Sequence, residues 1–279
     1  MPLNIQTNVS SLEAQLSLSR NQRALQSSFE KLSSGFRVNS AADDAAGLVI
    51  SEGMKSQIRS YSVAERNAAD GISMAQTAEG ALGEIHNILG RMRELAMQAS
   101  NGSLTSTDRD YIDSEFESLQ SEIGRIQAST KFNGTDLISS TASNTITFQV
   151  GLNNDTNDQI QVGFNGLDLS GITDTANADV SGATTANALA CLSAVDTAIA
   201  TVSTARSNFG AAMNKLDVAT NNIQTMRLNL SSANSRIRDV DVAEETAKMA
   251  RAQVLSQAGV SVLAQANQLP QLAMNLIGG

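Results

Sequence analysis

The sequence predicts a mainly α protein: a long antiparallel coiled-coil helical bundle carrying one small β-hairpin, with its N- and C-terminal helices paired. Three observations predict it. From Val195 to Ile237 a large apolar residue returns at every seventh position (Val195, Val202, Phe209, Leu216, Ile223, Leu230, Ile237), with Ala198, Ala205, Ala212, Ala219, Met226 and Ala233 three residues after the first six. A helix over these positions would be roughly 65 Å long at ~1.5 Å per residue, and its small row invites close approach by neighbouring helices. Proline occurs only at Pro2 and Pro270, so no proline breaks a helix between them. Aromatic residues make up 3% of the 279 and tryptophan is absent, which is little bulk for a compact enzyme core.

Taken in order, Ile5, Val9, Leu12 and Leu16 form a helical stripe, continued after a small phase shift by Leu18, Leu25, Leu32, Phe29 and Phe36. Its opposite face is rich in Ser, Gln and Asn. The stretch LSSGFRVNSAADDAAG, residues 32–47, interrupts the pattern and reads as a joint. Periodicity resumes from Leu48 and runs through Leu82, Ile85, Leu89, Met92, Ala96 and Ala99 to a turn at Asn101-Gly102. Thr105 to Asp110 offers capping oxygens for a helix with the seam Ile112, Phe116, Leu119, Ile123 and Ile126, and the short break demands an antiparallel hairpin of helices.

After a turn at Asn133-Gly134 the period falls to two. Ile146, Phe148, Val150 and Ile160, Val162, Phe164 alternate with polar residues, giving a β-hairpin over about 144–166. Residues 165–187 lack periodicity and are expected to be an exposed, variable loop. Beyond Ile237 a charged break at Arg238, Asp239 and Asp241 leads to a second heptad row, Leu255, Val262, Leu269 and Leu276, with Gly259, Ala266 and Ala273 four residues after the first three. Pro270 should kink this helix or be held by packing. The expected domains are an inner coiled coil of residues 1–44 with 239–279 and an outer bundle of residues 45–238. Terminal stripes of this kind call for further copies of themselves.

The formal charge of -9 without a basic run argues against nucleic acid, and no stretch reads as a membrane span or a cleaved signal peptide. One histidine, His86, read as a surface residue, and one cysteine, Cys191, read as a small hydrophobe, exclude a zinc quartet, a histidine-based triad and an internal disulfide. Neither a cofactor nor an enzymatic activity is expected.

The chain resembles bacterial flagellin closely. The matching segments are NIQTNVSSLEAQ at the start, LSSGFRVNSAADDAAGLVIS at 32–51, ERNAADGISMAQTAEGALGEI at 65–85, RMRELAMQASNG at 91–102, TKFNGTDL at 130–137, and NSRIRDVDVAEE and QAGVSVLAQANQLPQ near the C-terminus. The resemblance implies a homopolymeric flagellar filament subunit that serves motility. It implies export, unfolded, through the flagellar type III apparatus to the cell exterior, and a short form without outer domains. It further implies an export chaperone on the C-terminal helix and hook-associated junction and cap proteins as partners. An animal Toll-like receptor would contact Arg91, Leu95 and Glu115, of which the first two are expected to face outward together; Gly90 stands where relatives usually have glutamine. The packing residues are then Ile5, Val9, Leu12 and Leu16 in the N-terminal helix and Leu255, Val262, Leu269 and Leu276 in the C-terminal one. A hook–filament junction protein and a signalling coiled-coil rod are the alternatives to a filament subunit.

Overall fold

The computed structural model describes residues 7–139, 143–173, 178–182 and 184–277. The helices are α1 (Val9–Ser34), α2 (Ala45–Ala99), α3 (Ser106–Ser129), α4 (Ser170–Thr173), α5 (Ala186–Arg238) and α6 (Val242–Ile277). The strands are β1 (Lys131–Phe132), β2 (Thr135–Asp136), β3 (Ser143–Gln149) and β4 (Gln159–Asn165). Local chemistry sets the ends. The Asn8 side chain accepts the Ser11 N–H at 3.1 Å to start α1, and Gly35, at φ +74°, ends it in the left-handed conformation that glycine adopts freely. Asp44 accepts the Gly47 N–H at 2.9 Å to open α2. Thr105 and Asp108 form a reciprocal capping box at α3, and Asp241 accepts the N–H groups of Ala243 and Glu244 at α6. Helix α6 continues through Pro270.

The chain divides into two compact units, each treated by itself: Arg59–Arg227, and Met1–Ile58 with Leu228–Gly279. In the first, α3 and α5 each run antiparallel to α2, joined to it by the pairs Arg91–Glu115, Arg93–Asp196 and Arg206–Glu79. Val195, Val202, Phe209, Leu216 and Ile223 of α5 are buried in one cluster with Leu82, Ile85, Leu89 and Met92 of α2 and Phe116 and Ile123 of α3. Ala205, Ala212 and Ala219 of the small row are only half-buried against this cluster, so helices crowd one side of the seam and not both.

The β3–β4 hairpin closes the cluster. Phe148 pairs with Ile160 and Ile146 with Val162 in antiparallel register, placing the apolar set on one face. The Phe164 and Phe209 rings lie 5.4 Å apart, and Asn67 donates to the Gln149 carbonyl at 3.1 Å. A Cβ on Gly71 would sit 3.1 Å from both Leu216 and Phe148, so only glycine lets hairpin and helix close so tightly over α2. A second, two-residue ladder, β1 with β2, forms around Asn133 and Gly134, both at positive φ.

Two expectations need correction here. Residues 165–187 are not simply an exposed loop: Leu167, Leu169, Ile172, Ala178 and Val180 are buried. Gln127 of α3 donates to the Leu167 carbonyl at 2.9 Å and Gln120 to the Ala178 carbonyl at 2.7 Å, while Asp113 accepts the Val180 N–H at 3.1 Å. This segment is a strap laced onto α3, and burial pushes the Asp113 carboxyl above its ordinary value. Secondly, α5 contains an 18-residue window of mean hydropathy 1.5, enough by length and composition to cross a membrane. Its many alanines raise that value, and its Val195, Val202, Phe209, Leu216 and Ile223 are buried in the core just described.

In the other unit α1 and α6 pack antiparallel, with Ser11 donating to Asn267 at 2.8 Å near one end and Ser28 to Glu245 at 2.6 Å near the other. The joint is an isolated antiparallel bridge between two short chain segments. Phe36 bridges Asp239, the Arg37 N–H donates to the Arg238 carbonyl at 2.6 Å, and the Val240 N–H to the Gly35 carbonyl at 3.1 Å. The Arg238 guanidinium lies 4.5 Å over the Phe36 ring and pairs with Glu52. Glu52 of α2 and Arg238 of α5 meet at the joint, and the first turns of α2 and the last of α5 belong to the unit of the terminal helices.

Candidate functional site

The α1·α6 pair leaves several large apolar residues uncovered. Heptad positions on α1 that face α6 are Ser11, Ala14, Leu18, Asn21, Leu25, Ser28 and Leu32, all buried or half-buried. On α6 they are Glu245, Met249, Ala252, Ser256, Gly259, Leu263 and Ala266. The seam thus mixes small and polar side chains with Leu18, Leu25 and Leu32 of α1 and Met249 and Leu263 of α6, and Leu18 lies over Gly259. Val9, Leu12 and Leu16 keep half or more of their surface in solvent, and Leu255 and Val262 about half. The large rows thus lie on the open side of the pair, not in its seam. Ile5 and the side chains of Leu269 and Leu276 fall outside the described residues.

Phe29 of α1 and Val254 and Val260 of α6 are exposed as well. Two grooves lie along the line between the helices, one of about 480 Å³ beside Leu255, Gly259 and Val262 and one of about 400 Å³ beside Leu25, Phe29 and Met249. Solvent-facing apolar side chains in such a row mark a surface that associates, since every 100 Å² covered contributes roughly 2.5 kcal/mol before association costs. The arrangement offers adhesion and no reaction chemistry. Among the described residues no group of three His, Cys, Asp or Glu could hold a metal ion. Burial, with Asp113 and Asp179 nearby, pushes the Cys191 thiol up to about 12, which makes it inert at neutral pH. His86 is half-buried on α2 instead of lying free on the surface, and its Nδ1 is buried without a hydrogen-bond partner.

The second set of expected site residues is only partly assembled. Arg91 of α2 donates to Glu115 of α3 at 2.9 Å and to Glu94 at 3.0 Å, and all three side chains are exposed. Leu95, expected beside Arg91 on the outside, is 2% exposed and belongs to the core. The reason is angular. At about 100° per residue Leu95 lies only ~40° from Arg91 around the helix. Arg91 faces α3 and Arg93 faces α5, so the buried arc between them extends to Leu95. Gly90 is exposed, and a side chain there would meet nothing within 4 Å, so a glutamine would fit.

Comparison with known proteins places the chain in a family. Residues 5–143 match the bacterial flagellin N-terminal helical region and residues 192–277 the bacterial flagellin C-terminal helical region. The chain is 43% identical over 274 residues to a flagellin of Halalkalibacterium halodurans, covering 98% of this chain and 99% of that one. It is 39% identical over 304 residues to a flagellin of Bacillus subtilis, covering 99% and 100%. A solved structure described as a flagellar hook-associated protein from Vibrio parahaemolyticus shares the fold, with a TM-score of 0.61 at 18% identity over 71% of this chain and 100% of that one. The chain belongs to the bacterial flagellin family, the structural subunits of the flagellar filament.

Proposed function

We propose that this flagellin polymerises through the open faces of α1 and α6, with Val9, Leu12 and Leu16 and the row of Leu255, Val262, Leu269 and Leu276 covered by further copies. The observation that carries the reading is the exposure of large apolar residues on both helices outside the seam between them. Before assembly the same α6 row suits an export chaperone, which would hold an amphipathic helix in a groove. Export proceeds unfolded through the flagellar type III apparatus, and the filament lies outside the cell. Hook-associated junction and cap proteins meet the two ends of the polymer. Truncation after Gln268 is expected to leave the 59–227 unit folded by circular dichroism and to abolish salt-induced filaments in electron microscopy. Filaments of normal length from that truncation would refute the assignment.

An animal Toll-like flagellin receptor would be contacted by Arg91 and Glu115, the exposed pair joined across α2 and α3. Leu95 then supports the site from within the core. Arg91→Ala should lower receptor activation about tenfold, the effect of losing roughly 1.4 kcal/mol of binding, at an unchanged melting temperature. Equal potency of the variant and the parent would remove Arg91 from the contact.

A further inference from the structure

Two exposed faces of the Arg59–Arg227 unit carry charge of opposite sign at the same spacing. On α2, Arg59, Val63 and Arg66 fall within about 60° of one another around the helix and are exposed, Val63 at 46%. On α3, Asp110, Ser114 and Glu117 repeat that spacing and are exposed, and Tyr111, 74% exposed, stands on the flank of Asp110. Among the described residues none of the four charged groups has an ion pair, although their neighbours do, Glu65 with Arg227 and Arg91 with Glu115. Burial first, then Asp179, Glu117 and Asp110 raise the Asp113 carboxyl, so the negative field of the α3 face is not cancelled within the chain.

The two faces lie at different heights on the bundle. Arg91 beside Glu115, and the Ala99 carbonyl beside Arg109, set the level of α3 against α2. Glu117 is then about level with Leu89, and Asp110 with Ala96. Leu89 lies 30 residues beyond Arg59, and Ala96 lies 30 beyond Arg66. One shift of roughly 45 Å along α2 therefore brings both arginines of one copy level with both carboxylates of another. Because α3 runs antiparallel to α2, copies pointing the same way pair Arg59 with Glu117 and Arg66 with Asp110. The nearby Asp70 then meets Ser106 and no carboxylate. A shift shorter by a heptad leaves Arg59 opposite Gly124, and one longer by a heptad carries Arg66 past the start of α3.

We propose that the Arg59–Val63–Arg66 face of α2 docks on the Asp110–Glu117 face of α3 in a second copy of this chain, which points the same way and is shifted by roughly 45 Å along the bundle. The inference rests on the polymerisation proposed above and adds a contact in the bundle to the one through the terminal helices. The two faces differ, so each copy offers one to the copy on one side and the other to the copy on the opposite side. Such a contact is not self-complementary and generates an open row. Opposite charge steers the approach and fixes the register, while Val63 and Tyr111 supply apolar area.

Charge exchange in the full-length chain tests it, read by sedimentation and electron microscopy at the lowest salt at which the parent forms filaments, since salt screens such pairs. Arg59→Glu with Arg66→Glu makes both faces acidic, and Asp110→Arg with Glu117→Arg makes both basic. Each double variant alone should lose about tenfold in polymer, at an unchanged melting temperature because all four positions are exposed. Mixed in equal amounts, the two variants offer opposite faces to each other and should regain most of the parent's yield, and so should the chain carrying all four changes. Recovery in either supports the contact. Normal polymer from either double variant alone would overturn it, as would a mixture and a fourfold variant that both stay monomeric; neither result touches the α1·α6 assignment, which has its own truncation test. A parent that forms no filament at all would overturn both.

Discussion

Leu216→Asp is expected to leave residues 59–227 without a cooperative melt, the largest effect of any single change considered for this chain. Leu216 is fully buried at the middle of α5, opposite Gly71 and Phe148, where the hairpin and two helices converge. A carboxyl placed there has no donor among these apolar neighbours and would have to be protonated or drag water into the core, at several kcal/mol. The graded companion Leu216→Ala should cost about 2–5 kcal/mol through lost contacts and the cavity left behind. In a unit of this size that lowers the melting temperature by roughly 5–15 °C. A native-like melt for Leu216→Asp would mean that the α5 seam faces solvent.

Arg109→Met should destabilise the same unit by about 2–5 kcal/mol, although no carboxylate is lost. Arg109 is 3% exposed, and its guanidinium donates to the carbonyls of Ala99 at 2.9 Å, Asn101 at 3.2 Å and Gly182 at 3.3 Å. It thus satisfies the C-terminal end of α2, where helix carbonyls point outward and a positive charge meets the negative pole of the dipole. The same side chain anchors the strap that follows the hairpin. Methionine fills the volume and leaves three acceptors without a donor, each costing about 1–3 kcal/mol where water cannot reach. Lysine should recover less than half of the loss, because a compact ammonium cannot span the three oxygens that the planar fork does. The measurement is the urea midpoint, together with proteolysis near residues 178–182, which should quicken in the variant. An unchanged midpoint would mean that water already serves these carbonyls.

Much of the fold is legible in the sequence because the long helices bury one face each. The rows on α2, α3 and α5, the two-residue alternation of the hairpin, and the capping box at Thr105 all appear in the structure at the expected positions. The strap was illegible for a physical reason. Its apolar residues, Leu167, Leu169, Ile172, Ala178 and Val180, have no regular spacing, and it is held by glutamine side chains reaching its backbone carbonyls, a contact that composition does not announce. Leu95 was misplaced because α2 is enclosed by partners on two sides, which widens its buried arc beyond a single row. In the candidate site, periodicity revealed both the large and the small row of α6 but not which one faces α1. A heptad pattern states that a partner exists on each side without saying that one is within the chain and the other outside it.

The bridged segments at Phe36 and Asp239 act as a clasp. They tie residues 35–38 to residues 237–240, so everything between is a closed loop fastened at its base. Length added to or removed from that loop does not shift the points at which α1 ends and α6 begins. Loop closure grows costlier only slowly with length, by about 0.6 kcal/mol per doubling, so the clasp tolerates large changes in what it encloses. The terminal pair and the enclosed bundle are thereby free to vary separately, and an insertion engineered into the polar turn between β3 and β4 would leave the start of the terminal pair where it is.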